Sequence, residues 1–447
     1  MRRLLVSSLV LATASCLLAC SSDPGGSGGG GGTGSSGTGG AMCPAPITSG
    51  TKIAHVIVIV QENHTFDNHF GSYCTAPAGS NPSCNEGPAC CEAAPAKDPS
   101  GAAPMVLDDA SVGAYDPKHT QACELAEMNG GKMDRYVTGA DGCSDPRNFA
   151  VAGDAVKIYH DYAAQYAMAD RNFQPLVGQS SSNDMYLAVA KYVFTDNAEK
   201  PDSLGAQCDL APGTKTYEGQ TVFDVIGAAG KTFRVYAEGY DRMKGLAPDA
   251  CPGALKECTA HLPAYPCLYQ PSDIPFLYYS QFNHDDKLMH DYAELAKDVT
   301  AGTLANVSFV KFLGYNTEHP GYATKLTAGP AMVDALVKQV QASCYADDTL
   351  VLIAWDEGGG YYDHLTPPAD STADMKPYGT RVPLLAIGRF AKKNYVSHVV
   401  MEHSSIVKFL ELNFTGKTGQ LGARDAVVNN IGSLLDPKET GISIPDN

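Results

Sequence analysis

The sequence predicts an α/β fold, in which a doubly wound and mostly parallel β-sheet is covered by helices on both faces. Two observations support this prediction. Five apolar runs have the character of buried strands, and they are nearly continuous rather than alternating, as in a sheet covered on both sides. Segments with helical periodicity lie between these runs, as expected for strands joined by crossover helices.

The predicted elements follow one another along most of the chain. The strand-like runs occupy residues 55–60, 231–237, 307–313, 349–355 and 382–388. Helices are predicted over residues 155–173, where Ile158, Tyr162, Tyr166 and Ala169 share one face, and over 221–231, 329–343 and 402–414, the last with a serine cap. Two segments rich in Pro, Gly and Cys, 74–110 and 240–272, are predicted to be disulfide-stapled surface insertions.

The first 42 residues are predicted to lie outside the fold. Two arginines precede an apolar stretch that is too short for an ordinary membrane-spanning helix, and this stretch ends in "LLAC" (17–20), which has the form of a bacterial lipobox. Residues 1–19 are therefore predicted to be a lipoprotein signal peptide, with lipid attached to Cys20 after cleavage. Ordinary cleavage and secretion is the alternative. Residues 20–42 then form a Gly/Ser-rich tether that spans roughly 25 Å.

Cysteine usage agrees with export. The sequence has 14 cysteines, of which 12 remain when Cys16 and Cys20 are set aside. This even number suggests up to six disulfides, with pairing that the sequence does not reveal, and the adjacent Cys90 and Cys91 are expected to have different partners. A zinc ribbon is the alternative, although the spacings are irregular for one. The predicted location is the bacterial cell envelope, through the lipid anchor, or the exterior.

The net charge limits the choice of partners. A formal charge of −17 argues against nucleic acid and gives no electrostatic attraction to an anionic membrane. Residues 43–447 contain no further apolar run of spanning length, so they are expected to form a soluble domain with one large core and insertions, or a core with a smaller lobe. An anionic substrate would need positive charge from a metal ion or from a few placed residues.

Two of the predicted strands end in acidic or amide side chains. Glu62 and Asn63 follow the first strand, and Asp356 and Glu357 follow the fourth, just before three glycines that permit a sharp turn. Ligands bind beyond the carboxyl ends of the strands in an open parallel sheet. Either pair alone would more often be exposed loop residues. Together they predict a site for one divalent metal ion of unassigned identity, because the carboxylates would otherwise repel each other.

A run of serines provides a candidate nucleophile. Ser180, Ser181, Ser182 and Asn183 precede a helical pattern, so that a hydroxyl lies near a helix N-terminus. This position stabilises an anion and suits a serine that attacks phosphorus. The simpler alternative is that these serines only cap the helix.

Several motifs resemble one known family. "ENHTFDNHFG" (62–71) is similar to the E-N-R-S-F-D-x-x-F-G signature of the bacterial phosphoesterase family that contains phospholipases C and an acid phosphatase. The resemblance covers nearly all of residues 52–413 in the family's order. Its other segments are "NGGKMD" (129–134), "AMADRNF" (167–173), "TVFDVIGAAGKTFRVYAEG" (221–239), "EHP" (318–320), "WDEGGGYYDHLTPP" (355–368), "RVPLLAIG" (381–388) and "YVSHVVMEHSSIVKFLE" (395–411).

The resemblance implies an alkaline-phosphatase-like fold and metal-assisted phosphoryl transfer. It assigns the metal ligands to Glu62, Asn63, Asp356 and Glu357, with the nucleophile as a further ligand. Anchoring the family's G-P-T-x-P-N-R segment on Gly178 and Asn183 places the nucleophile at Ser180, with Ser181 as the rival. His119 and His319 match pocket histidines that stabilise an oxyanion or protonate the leaving group; without the resemblance, each would more often be a solvated loop residue.

Two positions depart from the family pattern. His64 and Asp184 stand where the family has arginines, so the part of the substrate that does not react is expected to be held differently. Two further histidines have weaker assignments. His364 is expected to support the metal-binding loop, and His403 to open a helix.

The sequence therefore predicts a metal-dependent hydrolase of phosphoric esters that works through a phosphoserine and resembles phospholipase C. Its substrates would be phosphate esters at a membrane or in the envelope, such as phosphatidylcholine. One alternative is an acid phosphomonoesterase of broad specificity with the same machinery. Another is a surface-binding lipoprotein that has kept the fold without turnover.

Overall fold

Strands and helices alternate along residues 50–253, 258 and 265–447, which are the residues that the computed structural model describes. The predicted signal peptide, the tether and Cys20 lie outside them. The strands are His55–Gln61 (β1), Met105–Leu107 (β2), Ala150–Ala152 (β3), Ala167–Ala169 (β4), Glu199–Pro201 (β5), Gly213–Lys215 (β6), Phe233–Ala237 (β7), Met289–Asp291 (β8), Val307–Lys311 (β9), Thr349–Trp355 (β10), Leu384–Ile387 (β11) and Tyr395–Ser397 (β12). The α-helices are Phe66–Phe70 (α1), Asp109–Ala114 (α2), Gln121–Met128 (α3), Lys157–Gln165 (α4), Ser180–Val189 (α5), Val222–Ala228 (α6), Tyr292–Ala301 (α7), Ala328–Gln341 (α8), His403–Thr415 (α9) and Pro437–Thr440 (α10).

One eight-stranded sheet organises the fold, with the order β12-β4-β11-β10-β1-β9-β7-β8. Its neighbours pair in parallel except at β11, which runs antiparallel to both β10 and β4. The mostly parallel sheet is confirmed. The five predicted strands are its five adjacent members β11, β10, β1, β9 and β7.

Helices cover both faces of the sheet, as the continuous apolar strands predicted. Val56, Val58 and Val60 of β1 belong to a core that includes residues of α5, α6 and α9. Ile57 and Ile59 point to the opposite face and join residues of α4, α7 and α8. Because successive side chains of a strand alternate between the two faces, a strand buried on both sides is apolar throughout.

The predicted helix over 155–173 is wrong in its second half. Helix α4 ends at Gln165, and residues 167–169 form β4, which pairs with β11 and β12. Ala169, expected on the helix face, is therefore a strand residue. A three-residue run of small apolar side chains continues a helical pattern equally well, so only the pairing with distant strands decides its conformation.

The other predicted helices are present as α6, α8 and α9. The predicted serine cap of α9 is wrong, because the N-cap is Glu402. Its side chain accepts from the amide of Ser404, and the hydroxyl of Ser405 accepts from the amide of Glu402 in return. The serine thus acts from inside the helix, as the second half of a capping box.

Disulfides hold the predicted insertions, and in each of the five below both cysteines lie among the described residues. Within 74–110, Cys90 and Cys91 bridge to different partners, as expected. A further bridge joins the chain on either side of the "NGGKMD" segment. The pairs are Cys74–Cys91, Cys84–Cys90, Cys123–Cys143, Cys208–Cys251 and Cys258–Cys267. Along the described residues, no helix is long and apolar enough to cross a membrane.

Candidate active site

The acidic strand ends meet at one edge of the sheet. Strands β1 and β10 are parallel neighbours, with Gln61 paired to Trp355, so that the residues after each strand emerge side by side. The Oδ1 atom of Asp356 accepts hydrogen bonds from the amide of Asn63 at 3.0 Å and from the amide of Glu357 at 2.7 Å. The predicted meeting of these two segments is confirmed.

Glycine permits the two segments to approach this closely. Asn63 and Gly359 both have left-handed backbone, with φ of 65° and 64°. A Cβ atom on Gly359 would lie 2.4 Å from the carbonyl oxygen of Asn63. A side chain at this position would therefore push apart the two loops that carry the polar groups.

Ser180 begins α5 and points at these loops. Its Oγ lies 3.3 Å from Asn63 Oδ1 and 3.3 Å from Glu357 Oε1. The N-cap of α5 is Gln179, whose side chain makes no capping bond, and Ser182 donates to the Gln179 carbonyl at 2.7 Å. The serines are thus inside the helix, and the reading of them as simple caps is wrong. Ser181 donates its amide to Asn197 Oδ1 at 2.9 Å.

His119 and His319 lie on the other side of Asn63. Their Nε2 atoms are 3.5 Å and 3.1 Å from Asn63 Nδ2, and His119 Nε2 is 3.7 Å from Glu357 Oε1. Each Nδ1 atom is 2.7 Å from a backbone carbonyl oxygen, of Pro117 and of Pro320 respectively. Since Nδ1–H donates to that carbonyl, Nε2 is free to accept or transfer a proton in the site.

Glu62 is bound differently from the other predicted ligands. Its carboxylate lies 2.8 Å from Lys311 Nζ, and the Tyr265 hydroxyl donates to it at 2.8 Å. Burial alone would raise the pKa of Glu62, but the Lys311 ammonium and His319 outweigh burial and lower it. Sequence reasoning missed Lys311 and Tyr265. Lys311 left a signal in the sequence, since a cation is rare in a strand that is buried along its whole length.

At the remaining carboxylates the effect of burial prevails. Burial, with Glu124 and Asp356 nearby, raises the pKa of Glu357 well above its usual range. Burial also raises the pKa of Asp356, against the opposing effect of Lys311. Asp356 Oδ2 is buried and has no hydrogen-bond partner among the described residues. A bound cation would reverse these pKa shifts and use this free oxygen, so the residues present fit a divalent ion.

Groups of histidines and acids that could hold a metal ion include residues other than the predicted metal ligands. Among the described residues, Asp116, His119 and His319 form a group close enough to share an ion, whereas Glu62, Asp356 and Glu357 do not form one. The structure therefore brings Asn63, Ser180 and Glu357 into contact around Asp356, with two histidines opposite. Glu62 borders the same space while bound to Lys311.

A cavity of about 210 Å³ opens onto Ser180 and both histidines. Its walls are rich in acids and tyrosines. The rings of Tyr265, His319 and Tyr322 form one wall, with centroids 4.9 to 5.6 Å apart. The acidic residues that line it are Glu62, Asp116, Asp209 and Asp273.

Comparison with known proteins agrees with these motifs. Residues 53–415 match the model of the Phosphoesterase family. The chain belongs to the Phosphoesterase family. Among curated relatives, the non-hemolytic phospholipase C of Burkholderia pseudomallei is 22% identical over 84% of this chain and 57% of its own length. The hemolytic phospholipase C of Pseudomonas aeruginosa is 23% identical over 88% and 58%.

Phospholipase C B of Mycobacterium tuberculosis is 23% identical over 89% of this chain and 80% of its own length. The chain spans little more than half the length of the phospholipases C from Burkholderia pseudomallei and Pseudomonas aeruginosa. A solved protein of the alkaline phosphatase superfamily from Vibrio parahaemolyticus has a TM-score of 0.38 and 9% identity, covering 88% of this chain and 74% of that one.

The two departures from the family's motifs are buried outside the cavity. His64 lies with Nε2 3.0 Å from the Glu318 carbonyl oxygen and its ring stacked on Tyr361. Asp184 is fully buried, with Oδ2 4.0 Å from Lys311 Nζ. Neither side chain lines the cavity. Both are connected to the site by their neighbours, because His64 follows Asn63 in the chain and Asp184 lies beside Lys311.

Of the two histidines with weaker assignments, His403 contacts the loop that carries Asp356, and His364 contacts two other acids. His364 lies 2.8 Å from Asp67 and 2.8 Å from Glu92. His403 opens α9, as predicted, and its Nε2 lies 2.7 Å from the carbonyl oxygen of Asp356. The contact of His403 with this loop was not predicted.

Proposed function

We propose that the protein is a metal-dependent phosphoric ester hydrolase of the phospholipase C type, with Ser180 as nucleophile. The observation that carries the proposal is the position of Ser180 Oγ, 3.3 Å from both Asn63 Oδ1 and Glu357 Oε1 at the start of α5. A helix N-terminus favours an anion, and an acid–amide cluster favours a cation beside it. Ser181 makes no such pair of contacts, which supports Ser180 over its rival.

Asn63, Ser180, Asp356 and Glu357 would hold one divalent ion, and Glu62 would join them by exchanging Lys311 for the ion. When bound, the ion lowers the pKa of the serine hydroxyl and offsets negative charge on a phosphoryl oxygen. The free Oδ2 of Asp356 supports this assignment.

The chain's own residues supply the other steps. Ser180 Oγ attacks phosphorus in line, giving a phosphoserine whose negative charge lies at the positive end of the α5 dipole. One of the Nε2 atoms of His119 and His319 takes the proton of the Ser180 hydroxyl as Oγ attacks, and passes it to the departing alcohol. A neutral Nε2 then takes a proton from the water that attacks the phosphoserine and returns it to Ser180 Oγ as phosphate leaves. Their Nδ1 bonds to backbone carbonyls fix the orientation of the two rings.

The cavity walls support a substrate that carries a positive charge. Four acids and two tyrosines surround the space beside Ser180. Tyrosine faces and carboxylates together favour an organic cation such as a quaternary ammonium. This supports a phosphodiester with a cationic headgroup, such as phosphatidylcholine. The alternative, an acid phosphomonoesterase, is favoured by the small cavity of about 210 Å³, since drug-sized ligand sites are usually larger.

The proposal is tested with the full chain, stripped by chelator and reloaded with single divalent metals. Each form is assayed on p-nitrophenyl phosphate and p-nitrophenylphosphorylcholine. Ser180→Ala is expected to lower turnover by about 1,000-fold or more, as for other nucleophilic serines. Ser181→Ala, one residue along the same helix, is the matched control and is expected to keep most activity.

The substrate pair separates the two enzymes. Diester turnover supports the phospholipase C type, and turnover of the monoester alone supports the phosphatase. Normal activity of Ser180→Ala would contradict the assigned nucleophile. Metal binding without turnover of either ester would favour a binding protein.

We also propose export as a lipoprotein, with residues 43–447 as the phosphoesterase domain and Cys20 as the anchor to the membrane. The "LLAC" sequence and the disulfides support this proposal, because disulfides persist in oxidising compartments. Mass spectrometry of the mature N-terminus tests it. A Cys20→Ser variant should lose the lipid and leave the membrane fraction.

A further inference from the structure

Glu124, on α3, is a buried acid that the proposed chemistry does not use. Its Oε2 accepts a hydrogen bond from the amide of Gly178 at 2.7 Å and from Gln174 Nε2 at 3.0 Å. Gly178 lies two residues before Ser180 and has a φ of 129°. The carboxylate therefore binds the backbone that leads directly to the nucleophile.

Gln174 extends this contact to the acidic loop. Its Oε1 accepts from the amide of Gly358 at 3.1 Å, and the amide of Gly360 faces Glu124 itself. Both glycines follow Glu357 in the chain. One carboxylate and one amide side chain thus bind the loop of the nucleophile and the loop of the predicted metal ligands at the same time.

The packing around Gln174 leaves it little freedom. Its Nε2 also donates to the carbonyl oxygens of Leu176 at 2.8 Å and Gly178 at 3.0 Å. A Cβ atom on Gly379 would lie 2.4 Å from Gln174 Cδ. Glu124 and Gln174 are buried, with 3% and 0% of their surfaces exposed. A fully bonded and enclosed pair transmits position between the groups that it joins.

We propose that Glu124 and Gln174 are positioning residues that fix Ser180 relative to Glu357. The inference rests on the proposed role of Ser180 as nucleophile. Ser180 Oγ and Glu357 Oε1 are 3.3 Å apart. Glu124 sets this separation because it is the acceptor shared by both supporting loops. What matters is the acceptor oxygen, so glutamine can replace Glu124 and an apolar side chain of similar size cannot.

The test compares Glu124→Leu and Glu124→Gln in the full chain. Glu124→Leu is expected to lower kcat by about 100-fold, since a displacement of 1 Å at a reacting group has this effect. KM should change much less, because no residue of the cavity wall is removed. Glu124→Gln should restore kcat to within a few-fold of the wild type.

Glu127 provides the matched control. It lies one turn further along α3, is equally buried, and bonds Asn148 at 2.8 Å rather than either loop. Glu127→Leu removes a buried acid from the same helix and should leave kcat within a few-fold of the wild type. The proposal would be overturned if Glu127→Leu lowered kcat as much as Glu124→Leu does. It would also be overturned if Glu124→Gln lowered kcat as much as Glu124→Leu does.

Hydrogen exchange gives a readout that does not depend on turnover. In Glu124→Leu, the amides of Gly178 and of residues 358–360 should exchange about tenfold faster or more, because local opening sets their protection. In Glu127→Leu these amides should remain protected. If the wild type hydrolyses neither ester, this measurement still decides the inference. Unchanged exchange of these amides in a folded Glu124→Leu protein would overturn the proposal. If that variant does not fold, the wild type alone is informative: these amides should be strongly protected, and rapid exchange there would overturn the proposal.

Discussion

His364 is a partly buried histidine between two acids. Nδ1 lies 2.8 Å from Asp67, Nε2 lies 2.8 Å from Glu92, and Asp363 and Arg381 complete the surroundings. Burial alone would lower the pKa of His364, but Asp67 outweighs burial and raises it to about 9. A folded pKa above the unfolded value of about 6.5 stabilises the protein fully below pH 6.5. This stabilisation is lost as the pH rises through 9.

His364→Gln should therefore remove part of the pH dependence of folding. Between pH 6 and pH 10, the wild type is expected to lose about 3 kcal/mol of unfolding free energy through this group. The variant should lack that loss. Urea unfolding at several pH values measures the difference. His284→Gln, at an exposed histidine 3.8 Å from Asp202, is the control; an unchanged slope in His364→Gln would contradict the prediction.

Residues that follow apolar strands could be placed from the sequence, because a strand end fixes where the next side chains emerge. Asn63 and Glu357 contact Ser180 for this reason. The residues from distant segments that contact this site could not be placed from the sequence. Tyr265 belongs to an irregular segment, and Glu124 is one of two buried acids in a helix that no sequence pattern relates to Ser180. Their contacts depend on how distant segments pack.

The glycine turn after β10 is the element that joins the two acidic segments. Gly359 lies where a side chain would contact Asn63, whereas nothing lies within 4 Å of a Cβ atom at Gly130. Both glycines have similar left-handed backbone, with φ of 64° and 66°. The two positions thus separate the effect of backbone conformation from the effect of crowding.

Gly359→Ala should be far more harmful than Gly130→Ala. Each alanine loses about 1 to 2 kcal/mol from the left-handed conformation. Only the change at Gly359 also displaces Asn63, so turnover should fall by about 100-fold there and remain near wild type at Gly130. Thermal unfolding and esterase assays measure both effects. Similar activities for the two variants would show that the turn does not position Asn63.

Element prediction succeeded where the apolar run was long and failed where it was short. The seven-residue strands β1 and β10 are rich in Val and Ile and have the length of a typical strand, which favours a strand over a buried helix. Strand β4 has three residues and directly follows α4, so its pattern merges with the helix. Its strand conformation comes from the backbone bonds to β11 and β12, which lie more than 200 residues away in the chain.

Acidic charge dominates the whole molecule, with a formal net charge of −17. The buried carboxylates at the end of the sheet add local repulsion, which Lys311 offsets in part at Glu62 and Asp356. Burial and neighbouring acids raise the pKa of Glu357 and of Asp356 for this reason. Binding of a divalent cation should therefore stabilise the folded protein as a whole.

Metal binding and stability should be linked through Asp356. At a metal concentration 100 times Kd, the unfolding free energy should rise by about 2.7 kcal/mol. Asp356→Asn should abolish this gain, and without metal it should be no less stable than the wild type because it removes a buried charge. Urea unfolding with and without each metal measures both effects. Asp161→Asn, at a surface pair with Lys157, is the control; an equal gain in Asp356→Asn would exclude the assigned site.

The single antiparallel strand has a consequence for the connection that leads to it. Strand β11 runs opposite to β10, with Leu384 paired to Ala354. The connection over 356–383 therefore leaves β10 and enters β11 at the same end of the sheet, where the carboxyl end of β10 lies. If β11 were parallel to β10, the chain would need a crossover connection to the opposite end of the sheet. The exposed middle of this connection can change in length without altering any strand register. We therefore expect changes of length there to leave the pairing of β10 with β11 intact.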